Sequence, residues 1–152
     1  MKTSHYILLA LFATLNLVSA YEMPRGFKEI AEFDELRENA IKKKKFLTVV
    51  FKGSNDNCPR CVASIENGQK AIKSYSLFGF TRVNAHYKNE TGLSEEVSSQ
   101  FGQMADGAAV YFYVFDPNTL KLVTTVSRKE LEGGKDELKK FKNTVREARK
   151  NL

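Results

Sequence analysis

Residues 46–61 read FLTVVFKGSNDNCPRC and contain the only two cysteines of the 152-residue chain. The first part, Phe46–Lys52, is nearly all apolar or β-branched and too short for a good helix, so we predict a buried central strand. Residues 53–57 are turn formers. Because the helix-compatible run VASIE follows Cys61, we expect Cys58 to lie at or near the N-terminus of a helix.

Three features near Cys58 favour its thiolate over its thiol. The unpaired N–H groups and the positive end of the macrodipole at a helix N-terminus attract negative charge. Pro59 suits the first helical turn, where its missing N–H costs no hydrogen bond. Arg60 adds a positive charge. We expect these features to lower the pKa of Cys58 below the free-cysteine value of about 8.5, which predicts a redox-active pair because the thiolate is the nucleophile of disulfide exchange.

The pattern of a strand, a CPRC motif at 58–61 and then a helix resembles the thioredoxin superfamily. The segments FKGS at 51–54 and VFDP at 114–117 are similar to those of small exported members. The resemblance implies an α/β fold, in which helices flank a central mixed β-sheet and an N-terminal helix precedes the first strand. It also implies a thiol–disulfide oxidoreductase, in which Cys58 attacks and Cys61 resolves the mixed disulfide.

The hydrophobic pattern predicts alternating helices and strands over essentially the whole chain after residue 26. Apolar residues at helical spacing begin at Phe27 and alternate with acidic ones, which predicts a first helix. Gly133-Gly134 then separates the last strand from a basic C-terminal helix. The other predicted elements are strand 46–52, a helix from Cys58 to about Tyr75 with Gly68 as its weak point, strand 80–86, helix 93–101, and a hairpin of strands 108–115 and 120–127.

The N-terminus resembles a secretory signal peptide. Lys2 precedes a mostly apolar run at 7–18 that is too short to span a bilayer, and small residues precede a cleavage site that we place after Ala20. We therefore expect residues 1–20 to be removed and residues 21–152 to form one domain, secreted or periplasmic. Losing the leader removes only Lys2 among the charged residues, so the net charge of +6 becomes +5. We expect neither nucleic acid nor, after cleavage, a membrane as a partner.

The spacing of the cysteines favours chemistry over structural cross-linking. A disulfide across two intervening residues closes a very small loop and removes little chain entropy. No dissociable cofactor is needed, since the dithiol belongs to the protein. The expected partners of this monomer are protein thiols or disulfides and a second protein that recycles the pair. The chain itself leaves open whether it works as an oxidase or as a reductase.

Two positions depart from the thioredoxin pattern. Enzymes of this superfamily place a cis-proline before the hairpin, where the substrate strand binds, and the corresponding site here falls at Gly107 and Ala108 without a proline. A cis bond at a non-proline residue costs about 2.5–4 kcal/mol, so we expect a trans bond and a differently shaped groove. Thioredoxins also keep a buried acid beneath the cysteines. The comparable residue here is Lys52, which would lower a cysteine pKa further if it pointed at the sulfurs. The burial preferences of lysine favour instead a strand-end side chain in water.

Two other functions remain open. The missing proline would suit a binding module that keeps the fold without turnover. Cys58, Cys61 and His86 would suit a copper or zinc carrier, because soft thiolates favour copper(I) and because half of a zinc site has this cysteine spacing. His86 is the only histidine outside the predicted leader, and an ordinary strand-end histidine explains it as well. We therefore predict no metal ligands.

Overall fold

A computed structural model describes residues 23–53, 58–82, 93–101 and 110–152. These residues form five strands and five α-helices, with single 3-10 turns at Ile30–Glu32 and Arg149–Asn151. In chain order the elements are β1 (Phe27–Glu29), α1 (Phe33–Lys42), β2 (Phe46–Lys52), α2 (Pro59–Ile72), β3 (Ser76–Arg82), α3 (Glu95–Ser98), β4 (Val110–Phe115), β5 (Leu122–Ser127), α4 (Arg128–Glu132) and α5 (Lys135–Ala148).

The strands form one mixed sheet in the order β1-β3-β2-β4-β5. Strand β3 runs parallel to both β1 and β2, whereas β4 runs antiparallel to β2 and to β5. The central strand is therefore β2, and all seven of its residues are buried. Helices pack on both faces of the sheet, which confirms the predicted α/β class and the mixed sheet flanked by helices.

Alternate residues of β2 enter two separate cores. Phe46 and Val50 pack on the face that α2 and α5 cover, together with Phe112 of β4. Leu47, Val49 and Phe51 pack on the opposite face, beneath α1 and α3. The period of two along a strand explains this division, because successive side chains point to opposite faces. Burial on both faces is the reason that β2 has a nearly continuous apolar sequence.

Several predicted elements are confirmed. Strand β2 has the predicted bounds, and the hairpin of β4 and β5 pairs antiparallel as expected. Helix α2 follows the cysteines but ends at Ile72, slightly before the predicted end at Tyr75. Strand β3 begins at Ser76, four residues before the predicted start of strand 80–86, and residues 83–86 of that prediction lie outside the described residues.

The predicted start of the first helix at Phe27 is wrong. Helix α1 does precede β2, but Phe27–Glu29 forms strand β1 at the sheet edge, so a strand stands ahead of α1. The physical reason is tertiary pairing: Phe27 lies opposite Phe78 in the parallel register, with their ring centroids 5.1 Å apart. Three residues carry too little periodicity for the sequence to distinguish a strand from a helical turn.

A second difference lies between β5 and the C-terminal helix. The predicted basic helix is confirmed as α5, which buries Phe141 and Val145. Ahead of it stands α4, a one-turn helix that the sequence reading did not predict. No helix in the described ranges is long and apolar enough to cross a membrane. The predicted leader at 1–20 lies outside those ranges and stays a prediction.

Replacing Gly68 with alanine is expected to destabilise the protein by about 1–3 kcal/mol, the usual cost of overpacking a core. A Cβ atom at this position of α2 would lie 2.6 Å from Cζ of Phe112. This clash should outweigh the gain of about 1 kcal/mol in helix propensity. Urea unfolding of Gly68→Ala would measure the difference. The control Asn67→Ala, at the preceding exposed position, should be neutral or slightly stabilising, and equal behaviour of the two variants would contradict the packing argument.

The free energy of unfolding should fall as the pH rises from about 10 to about 12, in part because of Tyr113. Burial, and secondarily the charge of Tyr111, raises the pKa of Tyr113 to about 12 from its ordinary value of 10.0. The unfolded chain ionises this phenol first, so the contribution is complete below pH 10 and is lost as the pH approaches 12. Two pKa units correspond to at most roughly 3 kcal/mol.

The variant Tyr113→Phe isolates this contribution from other alkaline titrations. Its unfolding free energy should decline less steeply than that of the wild type between pH 10 and 12. Parallel declines in the two proteins would show that Tyr113 ionises as readily in the folded chain as in the unfolded one.

Candidate functional site

Cys58 is the N-cap residue of α2, as predicted. Its backbone is extended, and its carbonyl oxygen accepts hydrogen bonds from the N–H groups of Cys61 at 2.9 Å and Val62 at 3.2 Å. Its Sγ atom also accepts from the N–H of Cys61, at 3.2 Å. The sulfur therefore occupies the place where an N-cap oxygen would satisfy a free N–H group, and negative charge on this sulfur would be stabilised there.

Pro59 occupies the first position of α2, which confirms the predicted placement. Its ring requires a φ near −65°, so it favours the start of a helix immediately after Cys58. Sequence and local geometry thus agree on where the helix begins. The proposed effect of Pro59 on the pKa of Cys58 stays a prediction.

The two cysteines form a disulfide, with their Cα atoms 5.2 Å apart. Their environments differ. Cys58 is partly exposed, whereas Cys61 is completely buried in the core that also contains Val50, Ile65 and Val110. An incoming thiolate can therefore reach the sulfur of Cys58 more readily than that of Cys61. This asymmetry suits a division of roles in which the first cysteine reacts with partners and the second reacts only within the chain.

Arg60 makes a two-point ion pair that the sequence did not predict. Its Nη2 atom lies 2.6 Å from Oε2 of Glu132, and its Nε atom lies 3.2 Å from Oε1 of the same carboxylate. The Arg60 side chain is 72% exposed and that of Glu132 is 23% exposed. Because Glu132 offsets part of the positive charge, Arg60 should lower the pKa of Cys58 less than an unpaired arginine would. The effect itself stays a prediction.

Glu132 reaches Arg60 because α4 is anchored at both ends. The backbone and side chain of Ser127 donate hydrogen bonds to the carboxylate of Glu130, which forms a capping box at the start of the helix. Leu131 is buried in the same core as Cys61. The Ser-x-x-Glu pattern at 127–130 is a known helix start and could have predicted α4. Nothing local could have predicted the pairing of residues 60 and 132.

The prediction that Lys52 lies in water is wrong. Its side chain is completely buried at the end of β2. It belongs to the same alternating set as Phe46 and Val50, so it projects from the face of the sheet that α2 covers. The burial preferences of lysine did not predict this buried side chain, which leaves the sheet on the face that α2 covers.

The remaining predicted site residues lie outside the described ranges. Gly107 and Ala108 at the cis-proline position, and His86 of the possible metal set, are all among them. Within the ranges that the structure describes, no group of three or more histidine, cysteine or acidic side chains is placed to hold a metal ion. Of the predicted site residues, the structure therefore places Cys58, Pro59, Arg60 and Cys61 together at the start of α2.

Comparisons with protein-family models, with curated proteins and with solved structures find no significant match. Function must therefore be inferred from the residues and geometry of this chain alone. The described geometry can support one kind of chemistry directly, which is reversible opening of the disulfide by attack on Cys58.

Replacing Glu132 with glutamine should lower the pKa of Cys58 in the reduced protein. The change removes the negative charge of Glu132, so the guanidinium of Arg60 loses its ion-pair partner. We expect a fall of less than about one pH unit, because Arg60 is solvent-exposed and salt screens such charges. The pH dependence of the alkylation rate of Cys58 by iodoacetamide would measure it. Glu137→Gln, which removes a carboxylate on α5, is the matched control. An unchanged or higher pKa in Glu132→Gln would contradict this electrostatic role.

Proposed function

We propose that this chain is an exported thiol–disulfide oxidoreductase with a thioredoxin-like fold, which uses Cys58 and Cys61 as its redox pair. The observation that carries the proposal is the position of Cys58: its sulfur caps α2 and is bonded to a completely buried Cys61. Two further features support it. The helix that carries the pair follows the central strand of a mixed sheet, and Pro59 begins this helix.

The reaction is an exchange of disulfides in two steps. In the reduced protein the Cys58 thiolate attacks one sulfur of a substrate disulfide, a mixed disulfide forms, and the other substrate sulfur leaves as a thiolate that takes up a proton. Cys61 then attacks the Cys58 sulfur, so the bond to the substrate breaks and the second substrate thiol leaves. The substrate gains two electrons, and the protein ends with its own disulfide.

The same steps in reverse oxidise a substrate dithiol. The direction depends on the partner that recycles the pair and on the redox poise of the compartment, as well as on the potential of this dithiol. The N-cap position, Pro59 and Arg60 favour the thiolate of Cys58, and stabilising the reduced form makes the disulfide a better oxidant. We therefore expect a reduction potential above the roughly −270 mV of thioredoxin.

A redox titration in glutathione buffers tests this proposal on residues 21–152 after removal of the predicted leader. Quenching by alkylation should reveal one reversible two-electron transition of Cys58 and Cys61, with a midpoint above about −270 mV. A midpoint at or below that value would contradict the expected oxidising character. A pair that never exchanges with glutathione would overturn the redox function and favour a binding module.

Single-cysteine variants test the assigned roles. Cys61→Ser should accumulate a mixed disulfide with glutathione at Cys58, because the resolving thiol is missing. Cys58→Ser should react far more slowly, since Cys61 is completely buried. Mass spectrometry of the trapped adducts would measure both. Equal adduct formation by the two variants would contradict the division of roles.

A further inference from the structure

The end of the molecule opposite the cysteines is strongly cationic. Three short segments, 39–45, 69–75 and 146–152, contain the C-terminal ends of α1, α2 and α5. They carry nine cations and one acid, a net charge of +8, whereas the whole chain carries +6. The rest of the chain is therefore net negative. The cationic end consists of Lys42, Lys43, Lys44, Lys45, Lys70, Lys73, Arg146, Arg149 and Lys150.

Contacts join the three segments around Tyr75. The Nζ atom of Lys45 donates a hydrogen bond to the carbonyl oxygen of Lys73 at 3.4 Å, and the N–H of Phe46 donates to the carbonyl oxygen of Tyr75 at 2.8 Å. The guanidinium of Arg149 lies over the ring of Tyr75, 5.6 Å from its centroid. The three helix ends therefore form one surface where β2 and β3 begin.

Helix α2 separates this surface from the cysteine pair. It has 14 residues, so it is about 21 Å long at 1.5 Å per residue. Cys58 is its N-cap residue, and Lys73 is its C-cap residue. A partner that bound the cationic end would therefore leave Cys58 facing away from it.

The helix dipoles explain only part of this charge. A cation in the last turn of a helix interacts favourably with the macrodipole, as Lys42 does in α1. Three further lysines follow Lys42 directly. Lys43 and Lys44 are exposed, and neither has an ion-pair partner among the residues that the structure describes. Adjacent like charges repel each other, so this run costs stability unless an anion binds to it.

The backbone at Lys44 adds a second cost. Lys44 follows the C-cap of α1 and has a φ of 50°, in the left-handed region. Its N–H donates to the carbonyl of Ile41, and the N–H of Lys45 donates to that of Ala40, which completes a Schellman motif. Glycine usually occupies this position because a Cβ atom is unfavourable there. Such local costs are typical of functional sites.

The shape of this end fits a flat anionic surface better than a peptide. Helix α1 packs on one face of the sheet and α2 and α5 on the other, so the cations surround the end of the sheet instead of lining one groove. Ile41, directly before the lysines, is 41% exposed. An aliphatic side chain flanked by lysines suits a lipid headgroup layer, which can contact all three helix ends at once.

We propose that the cationic end binds the surface of a membrane rich in anionic lipids and holds the protein there with Cys58 turned away from the lipid. The expectation of no membrane partner rested on the net charge of the whole chain, in which the negative remainder conceals this end. The inference is independent of the proposed redox function, since none of its residues belongs to the cysteine site.

Co-sedimentation with vesicles tests the proposal on residues 21–152, because the predicted apolar leader would bind lipid by itself. The protein should sediment with vesicles of phosphatidylglycerol and phosphatidylcholine in equal parts, stay in solution with phosphatidylcholine alone, and be released as salt is raised. Absence of binding to the anionic vesicles would overturn the proposal. Binding to soluble heparin but not to the vesicles would also overturn it, in favour of a polysaccharide partner.

Two double variants with the same loss of charge separate this surface from the net charge. Lys43→Gln combined with Lys73→Gln should weaken vesicle binding roughly 25-fold, or about fivefold for each cation near the lipid. The control combines Lys129→Gln with Lys135→Gln, exposed positions three residues before and after Glu132 at the cysteine end. It should weaken binding far less. Equal weakening would show that binding follows overall charge, which contradicts an oriented surface.

The variant Lys44→Gly separates binding from folding. It removes one cation and relieves the left-handed backbone, so the urea midpoint of unfolding should rise while vesicle binding weakens about fivefold. A stabilised variant that binds the vesicles as tightly as the wild type would contradict the proposed use of this charge.

Alkylation of Cys58 by iodoacetamide in the reduced protein reports the orientation. A separation of about 21 Å exceeds the screening length of about 10 Å at 0.1 M salt, so vesicle-bound and free protein should react at the same rate. Protection of Cys58 on the anionic vesicles would show that the pair faces the lipid, and would overturn the proposed orientation.

Discussion

The pairing of β2 on both sides and its burial on both faces determine where every part of the site lies. Because β3 and β4 occupy its two edges, β2 cannot shift by one residue without turning Phe46, Val50 and Lys52 to the opposite face. The chain that leaves β2 returns as α2 on the face of these same residues. The helix that carries the cysteine pair and the buried lysine are therefore placed by one register, and each depends on the hydrophobic contacts that hold it.

Local patterns predicted those parts of the structure that local physics determines. The run of residues 46–52, the proline after Cys58 and the turn chemistry between β4 and β5 each specify a conformation within a few residues, and the sheet confirmed them. The prediction for residues 27–29 was wrong because pairing with the neighbouring strand, where Phe27 lies opposite Phe78, determines their conformation. Their sequence neighbours do not reveal that pairing. The position of Cys58 at the start of α2 was likewise predicted from the spacing of the cysteines and from the proline that follows Cys58.

What sequence reasoning missed depends on distant contacts. Glu132 lies 72 residues from Arg60, and α4 had to be placed before their pairing could be seen. Lys52 was assigned to water because a strand end is usually exposed. Here both neighbouring strands reach the level of Lys52, since Arg82 and Val110 pair with it, and Arg128 begins a helix directly after β5. Residue preferences describe an average strand end, whereas burial at one particular strand end depends on the elements that cover it.

The charged groups at this end of the sheet lie at different depths, so dissolved ions affect their electric fields differently. The pair of Arg60 and Glu132 is exposed, so dissolved ions weaken its field within a distance of about 10 Å at 0.1 M salt. Lys52 is enclosed by protein, where mobile ions do not penetrate. Changes in the ionic strength of the surrounding medium will therefore alter the field of the exposed ion pair more than that of the enclosed amine.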